Sequence, residues 1–547
     1  LYHQKMKYYL LLYLIFINTL ISQDSTEVIE NASENSSVQG AFGAVTIDGK
    51  IWNQIALRPT LPFGPLTIAL DVVIYVDQDG NIHSDEWDFS TGEKVKNTLI
   101  DKIYYIRYGQ RFNGNYFKIG ALDNVTMGYG ALINNYSNTL LYPQVRKVGM
   151  EFKAELPQNL NIYGFTNDFK ENMGLTGFRV SAPISGGFTL GLSYANDRNQ
   201  YLGLKDVDND GRPDLVDDFP ENAQYWIDSD NDGYDDTDPL EWDIDGDGIT
   251  DTLDSNIPGW NLDLDNNGIP DIIVLDDDIS RKPQPININE ANGKHISSYA
   301  LDLGIPLIRE ALFSLDFYSQ YAALLGKTID PTIDSTSEET SNIVNTGYGL
   351  IPVGLSARFG NASFNLEFRM IPNGRFDFGY FNKSYELERS AFKSSSDNKG
   401  EIVTKSERLG TYGKQNGFFS SLNINLGDLF DAGFAYQNLS GEQYDIISNK
   451  FQEAENQSFS GILKLTKSIS KIKKADLFYQ QRNVPNPFDF QFSESTIMGY
   501  DIGLELGNGM ILTYTFRRSF IDMNGDGDVK DDNEMINMTS IETSFSF

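Results

Sequence analysis

Alternation of apolar and polar residues recurs along most of this 547-residue chain and constrains its fold more than any other feature. In FNLEFRM at 364–370, every even position is apolar and every odd position is polar or charged. The segments SYALDLGI at 298–305, DIGLEL at 501–506, VGMEFK at 148–153 and ILKLTK at 462–467 behave in the same way. Successive side chains of a strand point to opposite faces, so this period predicts strands with one apolar and one charged face.

The alternating segments predict an all-β fold of about 20 antiparallel strands, with 16 or 18 as alternatives. We place them near 38–48, 51–59, 66–76, 101–110, 116–121, 145–155, 160–166, 174–183, 187–195, 296–305, 310–321, 348–358, 362–372, 417–426, 429–438, 455–466, 474–482, 497–506, 509–518 and 535–547. Long connections then follow odd-numbered strands, and short turns follow even-numbered ones. This segregation is typical of a transmembrane β-barrel, whose even strand count brings both termini to one side.

The two ends of the chain agree with a membrane barrel. Residues 1–22 predict a secretory signal whose translation start is Met6, because from Met6 onward they contain one Lys and then an apolar run from Tyr8 to Ile21. A short segment, 23–37, precedes the first strand. The last strand, MINMTSIETSFSF, alternates up to Phe547.

A final strand that ends in an aromatic residue resembles the closing strand of bacterial outer-membrane β-barrels. In that family, the terminal Phe is part of the signal that the insertion machinery reads. The resemblance implies an outer-membrane location in a Gram-negative bacterium, contact with membrane lipid and periplasmic termini. Residues 38–196 and 294–547 would then form the two parts of the barrel.

A strongly acidic insertion, 197–293, separates the two parts and would lie outside the cell. From 205 to 290 there are 26 acidic and four basic residues, which supply most of the chain's net charge of -34. An acidic balance of this size argues against nucleic acid as a partner. Without bound cations, such a segment would expand through self-repulsion.

Within the insertion, the pattern D-x-D-x-[DN]-G-x-x-D occurs four times. Alternate carboxylates on a tight loop converge on one centre, and the Gly at position six permits the sharp turn. Because oxygen ligands without His or Cys favour Ca²⁺, we expect about four Ca²⁺ ions; the alternative is a solvated acidic linker. The expected ligands are Asp206, Asp208, Asp210 and Asp214; Asp228, Asp230, Asp232 and Asp236; Asp243, Asp245, Asp247 and Asp251; and Asp263, Asp265, Asn267 and Asp271.

The four copies, over 205–275, resemble thrombospondin type 3 repeats, which coil around calcium ions with little apolar core. This chain has no cysteine, unlike the vertebrate members, and its copies start 22, 15 and 20 residues apart. A further calcium site at Asp522, Asn524 and Asp526 is possible, although Lys530 occupies position nine there.

Catalysis has little support in the sequence. The three histidines are dispersed, and His83 beside Asp85 is more simply a solvated loop residue than a catalytic group. We therefore expect no enzyme activity and no organic cofactor. The leading hypothesis is a porin-like channel for small solutes, and the alternative is a cell-surface adhesin or scaffold whose insertion binds a partner or matrix. The charged side chains that we expect to face the lumen are of both signs, which predicts a channel without a strong ion preference. They are Asp302, Asp316, Glu367, Arg369, Lys464, Glu505 and Glu542.

Overall fold

The computed structural model describes residues 37–546 with several internal gaps. The gaps are 48–49, 84–86, 112, 143–144, 209, 229, 231, 239, 245–285, 287, 289–290, 292, 334–341, 395–399, 446–447, 523–528 and 531–533. The predicted signal, 1–22, and the terminal Phe547 lie outside the described residues.

The described residues form 25 strands, most of them in one sheet. In chain order the strands are β1 (Ser37–Ile47), β2 (Lys50–Phe63), β3 (Leu66–Leu70), β4 (Val72–Val76), β5 (Ile103–Gln110), β6 (Asn113–Gly120), β7 (Gly149–Leu156), β8 (Leu160–Thr166), β9 (Leu175–Pro183), β10 (Thr189–Asp197), β11 (Ile296–Arg309), β12 (Phe313–Leu325), β13 (Lys327–Ile329), β14 (Ile343–Asn345), β15 (Tyr348–Phe359), β16 (Ala362–Ile371), β17 (Ser390–Ser394), β18 (Gly400–Thr404), β19 (Tyr412–Leu426), β20 (Phe430–Asp445), β21 (Lys450–Leu465), β22 (Ile472–Val484), β23 (Ile497–Gly507), β24 (Met510–Phe520) and β25 (Met535–Ser546).

The sheet closes into an antiparallel barrel of twenty wall strands. β1 pairs with β2 on one side and with β25 on the other, where Gln39 lies opposite Ser546. β3 and β4 both pair with β2 and form one wall strand that is interrupted at Asp71. The interruption has a local cause, because the buried Asp71 carboxylate accepts hydrogen bonds from Arg58 Nε at 2.9 Å and Arg146 Nη1 at 2.7 Å. β13–β14 and β17–β18 are separate hairpins in the connections.

Each of the twenty predicted strands overlaps one wall strand, so the predicted fold class is confirmed. The parity of the connections also holds, because the long segments 77–102, 121–148, 198–295 and 372–411 all leave the same end of the barrel. The expected start of the fourth strand at 101 is wrong by two residues. Helix α1 (Gly92–Asp101) occupies that position, with its N-terminus capped by the Thr91 hydroxyl, which accepts a hydrogen bond from Lys94 N.

The outward face of the wall is apolar. On many strands, large hydrophobic side chains that are between 36% and 60% exposed occupy outward positions. Examples are Ile51, Ile55, Leu57, Leu61 and Phe63 on β2; Leu190, Leu192 and Tyr194 on β10; and Ile502, Leu504 and Leu506 on β23. The opposite, inward face carries buried polar side chains such as Ser193, Asp302 and Glu367. Apolar outside and polar inside is the reverse of a water-soluble sandwich. No helix in the described part of the chain is long and apolar enough to cross a membrane.

The largest apolar cluster lies inside the barrel. It joins wall residues such as Phe165 and Tyr318 to residues of two connections, 121–148 and 372–411, which we call the inner loops. The second inner loop also contains two one-turn helices, α2 (Tyr385–Glu388) and α3 (Lys405–Arg408). Part of the lumen is therefore filled by the chain's own loops.

Candidate functional site

The two inner loops are held to each other by backbone hydrogen bonds. Ile133 and Phe381 form an isolated parallel bridge, in which Asn134 N donates to Phe381 O at 3.0 Å. Phe381 N in turn donates to Leu132 O at 2.9 Å. These bonds satisfy backbone groups that would otherwise be buried without partners. They also join the two inner loops, which are far apart in sequence, into one structural unit.

Aromatic side chains anchor this unit in the lumen. Five of these side chains are at most 1% exposed: Tyr136, Phe376, Tyr380, Phe381 and Tyr385. Sequence reasoning treated 372–411 as an ordinary long connection and missed this packing. The signal was present in RFDFGYFNKSY at 375–385, because a solvated loop does not concentrate so many aromatic residues.

A network of buried ion pairs joins the inner loops to the wall, and its centre is the fully buried Arg389. The guanidinium donates through Nε to Asp197 Oδ2 at 2.7 Å and through Nη1 to Glu171 Oε2 at 2.7 Å and Glu386 Oε2 at 3.3 Å. Lys147 Nζ donates to Glu386 Oε2 at 2.6 Å and also contacts Glu171. Four segments meet here: both inner loops, the β8–β9 connection and the end of β10.

Two buried carboxylates in this region, Glu171 of the network and Glu388 next to it, stay ionised at neutral pH. Burial raises the pKa of Glu171, but the Arg389 guanidinium and the Lys147 ammonium outweigh burial and lower it to about 2. Burial also raises the pKa of Glu388, and neighbouring cations, Lys405 first, bring it down to about 2. The ion pairs of Glu171 and Glu388 therefore persist across the physiological pH range.

Two tyrosines form an aromatic platform on the inner wall. Tyr129, from the first inner loop, stacks on Tyr318 of β12 with ring centroids 3.8 Å apart and planes within 6°. Tyr318 lies between Gly304 of β11 and Gly354 of β15, its partners across the strands. A Cβ at Gly354 would lie 2.2 Å from Tyr318 Cε2, and one at Gly304 would lie 2.3 Å from the Tyr129 hydroxyl. The two glycines therefore make room for the platform.

A buried ion pair lies beside this platform. Arg369 donates through Nε to Glu367 Oε2 at 2.7 Å and through Nη1 to Gln437 Oε1 at 2.5 Å. Its guanidinium carbon lies 3.8 Å from the centroid of the Phe419 ring. The Tyr318 hydroxyl donates to the other oxygen of Glu367 at 2.6 Å. Both charges are thus compensated within the wall.

A cavity of 330 Å³ adjoins these residues. One side is the inward face of β16 and β19–β22, and the other is the inner loops. The lining combines aromatic rings, Tyr129 and Phe419 among them, with amide and hydroxyl side chains such as Asn365 and Ser421. A volume of this size suits a small organic molecule.

Several charges expected in the lumen are paired with opposite charges. Asp302 binds the Arg179 guanidinium, with Arg179 Nη1 2.6 Å from Asp302 Oδ2. Glu542 accepts from Arg58 Nη1 at 2.7 Å. Ion pairs also involve Asp316, with Arg309, and Glu505, with Lys473.

In the acidic insertion, the structure brings the first three expected ligands of two copies together. Carboxylate oxygens of Asp206, Asp208 and Asp210 lie within 4.8 Å of one another, and those of Asp228, Asp230 and Asp232 form an equivalent group. The ninth-position residues of these copies, Asp214 and Asp236, are not members of these groups. Asp243 is described and buried, whereas Asp245, Asp247, Asp251, Asp263, Asp265, Asn267 and Asp271 lie outside the described residues.

The two described copies share one backbone turn. Gly211 N donates to Asp206 Oδ2 at 3.1 Å, and Gly233 N donates to Asp228 Oδ2 at 2.9 Å. Both glycines have a φ of 98°, a left-handed conformation that favours Gly. The repeated Gly at position six therefore has the conformational role that the sequence pattern predicts.

Burial and the closeness of other carboxylates raise the pKa of aspartates in the insertion. Burial raises the pKa of Asp217 to about 6, and the nearby charges of Asp210 and Asp208 contribute to the rise. Burial also raises the pKa of Asp208 itself. Its Oδ2 atom is buried and has no hydrogen-bond partner among the described residues. Such a site favours a bound cation, whose charge would reverse these shifts.

The remaining sequence candidates occupy ordinary loop positions or fall in gaps. His83 donates its backbone N–H to Tyr75 O at 3.0 Å, and its ring contacts Trp52 edge-on at 4.7 Å. Asp522 is described, but Asn524 and Asp526 are not. The absence of a catalytic centre and the site at 522–526 both stay predictions.

Comparisons with known proteins find similarity in structure alone. No protein-family model matches the chain, and no curated protein matches its sequence. Among solved structures, Pseudomonas aeruginosa OccK10 (OpdN) aligns with 94% of this chain and 99% of its own, at 8% identity and a TM-score of 0.32. P. aeruginosa OpdK with vanillate aligns with 94% of this chain and 99% of its own, at 8% identity and a TM-score of 0.34. Acinetobacter baumannii OccAB4 aligns with 94% of this chain and 97% of its own, at 9% identity and a TM-score of 0.31. The fold assignment rests on the strand register of this chain, which closes the barrel by itself.

Proposed function

We propose that this protein is a channel of a bacterial outer membrane that passes small solutes along the barrel lumen beside the inner loops. The observation that carries the proposal is the inverted polarity of a closed sheet, with exposed Leu, Ile and Phe side chains outside and polar side chains within. A bilayer core accepts such a wall because each of the twenty wall strands pairs with a neighbour on both sides, so the sheet closes on itself. An apolar outer face of this extent would be an aggregation liability in water.

The lumen charges support a channel without a strong ion preference. Pairs such as Arg179–Asp302 and Arg58–Glu542 cancel within the wall, so these charges favour neither sign of solute. Because the inner loops fill part of the cross-section, we expect a narrow passage and not the wide opening that twenty strands alone would allow.

We further propose that the acidic insertion, predicted at 197–293 and contained in the β10–β11 connection 198–295 apart from Asp197, lies outside the cell and binds about four Ca²⁺ ions. Support comes from the four sequence copies and from the equivalent oxygen groups of Asp206, Asp208 and Asp210 and of the second described copy. Extracellular sites of this ligand type bind Ca²⁺ with Kd values of roughly 10⁻⁴–10⁻³ M.

Single-channel recording in a planar bilayer tests the channel. We expect the full chain to give stepwise currents carried by cations and anions to similar extents. A matched variant, in which a short Gly-Ser linker replaces 198–295, should still conduct, because the whole of β10 pairs with Ile296–Gly304 of β11 without it. Absence of conductance in both forms would contradict the proposal and would favour the adhesin or scaffold role.

A further inference from the structure

One part of the lumen-cavity wall is a row of neutral side chains in register. Residues opposite one another on antiparallel strands share a face. One such row crosses five strands of the wall and contains no charge: Asn365, Ser421, Ala435, Ser460 and Gln480. All five line the cavity, and Asn365 Nδ2 donates to Ser421 Oγ at 3.0 Å.

The charged residues around the cavity cancel one another. Glu367 and Arg369 belong to the lining but pair with each other, and each side chain is at most 4% exposed. On the loop side, Arg482 Nη2 donates to both oxygens of Asp377, at 2.9 and 3.0 Å. An anionic ligand would need an accessible cation, which neither pair offers, and a cationic ligand would need a free carboxylate.

Aromatic rings complete the lining. Tyr129 of the platform is half-buried, so part of its surface remains accessible, and Phe419 covers the Arg369 guanidinium. A pyranose ring presents C–H groups on its faces and hydroxyls around its edge. The faces pack on aromatic rings, and the hydroxyls exchange hydrogen bonds with amide and hydroxyl groups.

We propose that this cavity is a binding site for an uncharged, polyhydroxylated solute of the size of a mono- or disaccharide. This inference rests on the proposed function in one respect, because a solute that passes through the lumen would bind here in transit. Tyr129 would support the sugar ring, and the row that contains Asn365 and Gln480 would bind its hydroxyls.

Three pyranoses of similar size separate shape from charge: glucose, glucuronate and glucosamine. The full chain is recorded in a planar bilayer while each probe is titrated. We expect glucose to reduce the ion current in a saturable manner and at a lower half-blocking concentration than glucuronate or glucosamine. Isothermal titration calorimetry of the full chain, in a detergent without a sugar headgroup, gives a second readout that needs no conductance.

Variants of Tyr129 test the platform. Tyr129→Leu keeps an apolar side chain but removes the ring, and it should raise the half-blocking concentration of glucose roughly three- to tenfold. Tyr129→Phe keeps the ring and should stay near wild type. Tyr514→Leu, on the wall strand β24, is a matched control outside the cavity and should leave glucose binding unchanged.

The outcomes separate this inference from the proposed channel. Conductance without any effect of glucose, or equal effects of the three probes, would overturn the site and leave the channel. Glucose binding by calorimetry without conductance would support the site and overturn the channel. A Tyr129→Leu protein that conducts and binds glucose like wild type would also overturn the site.

Discussion

Two regions of the molecule differ in how their buried charges are compensated: the barrel together with its inner loops, and the acidic insertion. In the barrel, Arg389 contacts Asp197, Glu171 and Glu386, so buried anions and cations come together. The insertion holds 26 acidic and four basic residues over 205–290, and Asp217 is nonetheless only 5% exposed. The barrel therefore has its own counter-ions, whereas we propose that the insertion, with only four basic residues over 205–290, takes most of its counter-ions from solution.

Calcium removal should have the largest effect, and it should fall on the insertion alone. At 100-fold excess over Kd, each site contributes about 2.7 kcal/mol, so two described loops give about 5 kcal/mol. We expect chelation to make 205–275 sensitive to protease while the wall strands stay resistant. Limited proteolysis read by mass spectrometry measures this. Asp228→Asn, Asp230→Asn and Asp232→Asn together should remove one ion.

Magnesium is the control for that experiment, because it demands a smaller octahedral shell and should not replace calcium. Cleavage that is the same with calcium, magnesium and chelator would mean that the aspartates are a solvated linker.

Substitution of Arg389, the centre of the ion-pair network, should have the next largest effect, and it should lower the stability of the barrel. Arg389→Gln leaves three carboxylates without their shared cation, which costs about 3–5 kcal/mol for a buried pair. Urea unfolding in lipid vesicles measures the loss. Arg309→Gln is the matched control, because Arg309 is 56% exposed and its ion pair with Asp316 contributes only about 0–1 kcal/mol. Equal losses in the two variants would contradict the network.

A methyl group under the aromatic platform should have a smaller effect. Gly354→Ala places a Cβ 2.2 Å from the Tyr318 ring and should cost about 1–3 kcal/mol through overpacking. Gly461→Ala is the control, since its nearest heavy atoms lie 3.6 Å away. Both are read by the same urea titration, and a Gly354→Ala protein as stable as the control would argue against a fixed platform.

Acid should partly substitute for calcium in the insertion. The pKa of Asp217 is raised to about 6, so the folded state binds a proton more tightly than the unfolded state. Without calcium, resistance of the insertion to protease should therefore rise as pH falls through 6 and decline above it. Asp217→Asn should weaken this pH dependence. A chelated wild-type protein whose resistance is constant from pH 7 to 5 would contradict the shift.

The sequence predicts the wall well because strand alternation is local. The period-two pattern placed all twenty wall strands, and the even count and the parity of the connections indicated the closed barrel that the pairing of β1 with β25 completes. The interruption at Asp71 was missed, because it depends on Arg58 and Arg146, which no local pattern connects.

The inner loops illustrate the same limit. Arg389 and Asp197 are 192 residues apart, and neither lies in a motif. Tyr129 and Tyr318 also meet only after the barrel has closed. The local turns at Gly211 and Gly233 could be predicted from spacing, whereas a lumen cavity assembled from five strands could not.

Hydrogen–deuterium exchange of the full chain in lipid nanodiscs, with calcium or with chelator, tests the two-region account most directly. We expect the amides of the wall strands to be protected in both conditions, because their hydrogen bonds close a barrel in lipid. Amides of 205–275 should be protected with calcium and exchange rapidly with chelator. Rapid exchange in the wall strands, or the same exchange of 205–275 in both conditions, would contradict the account.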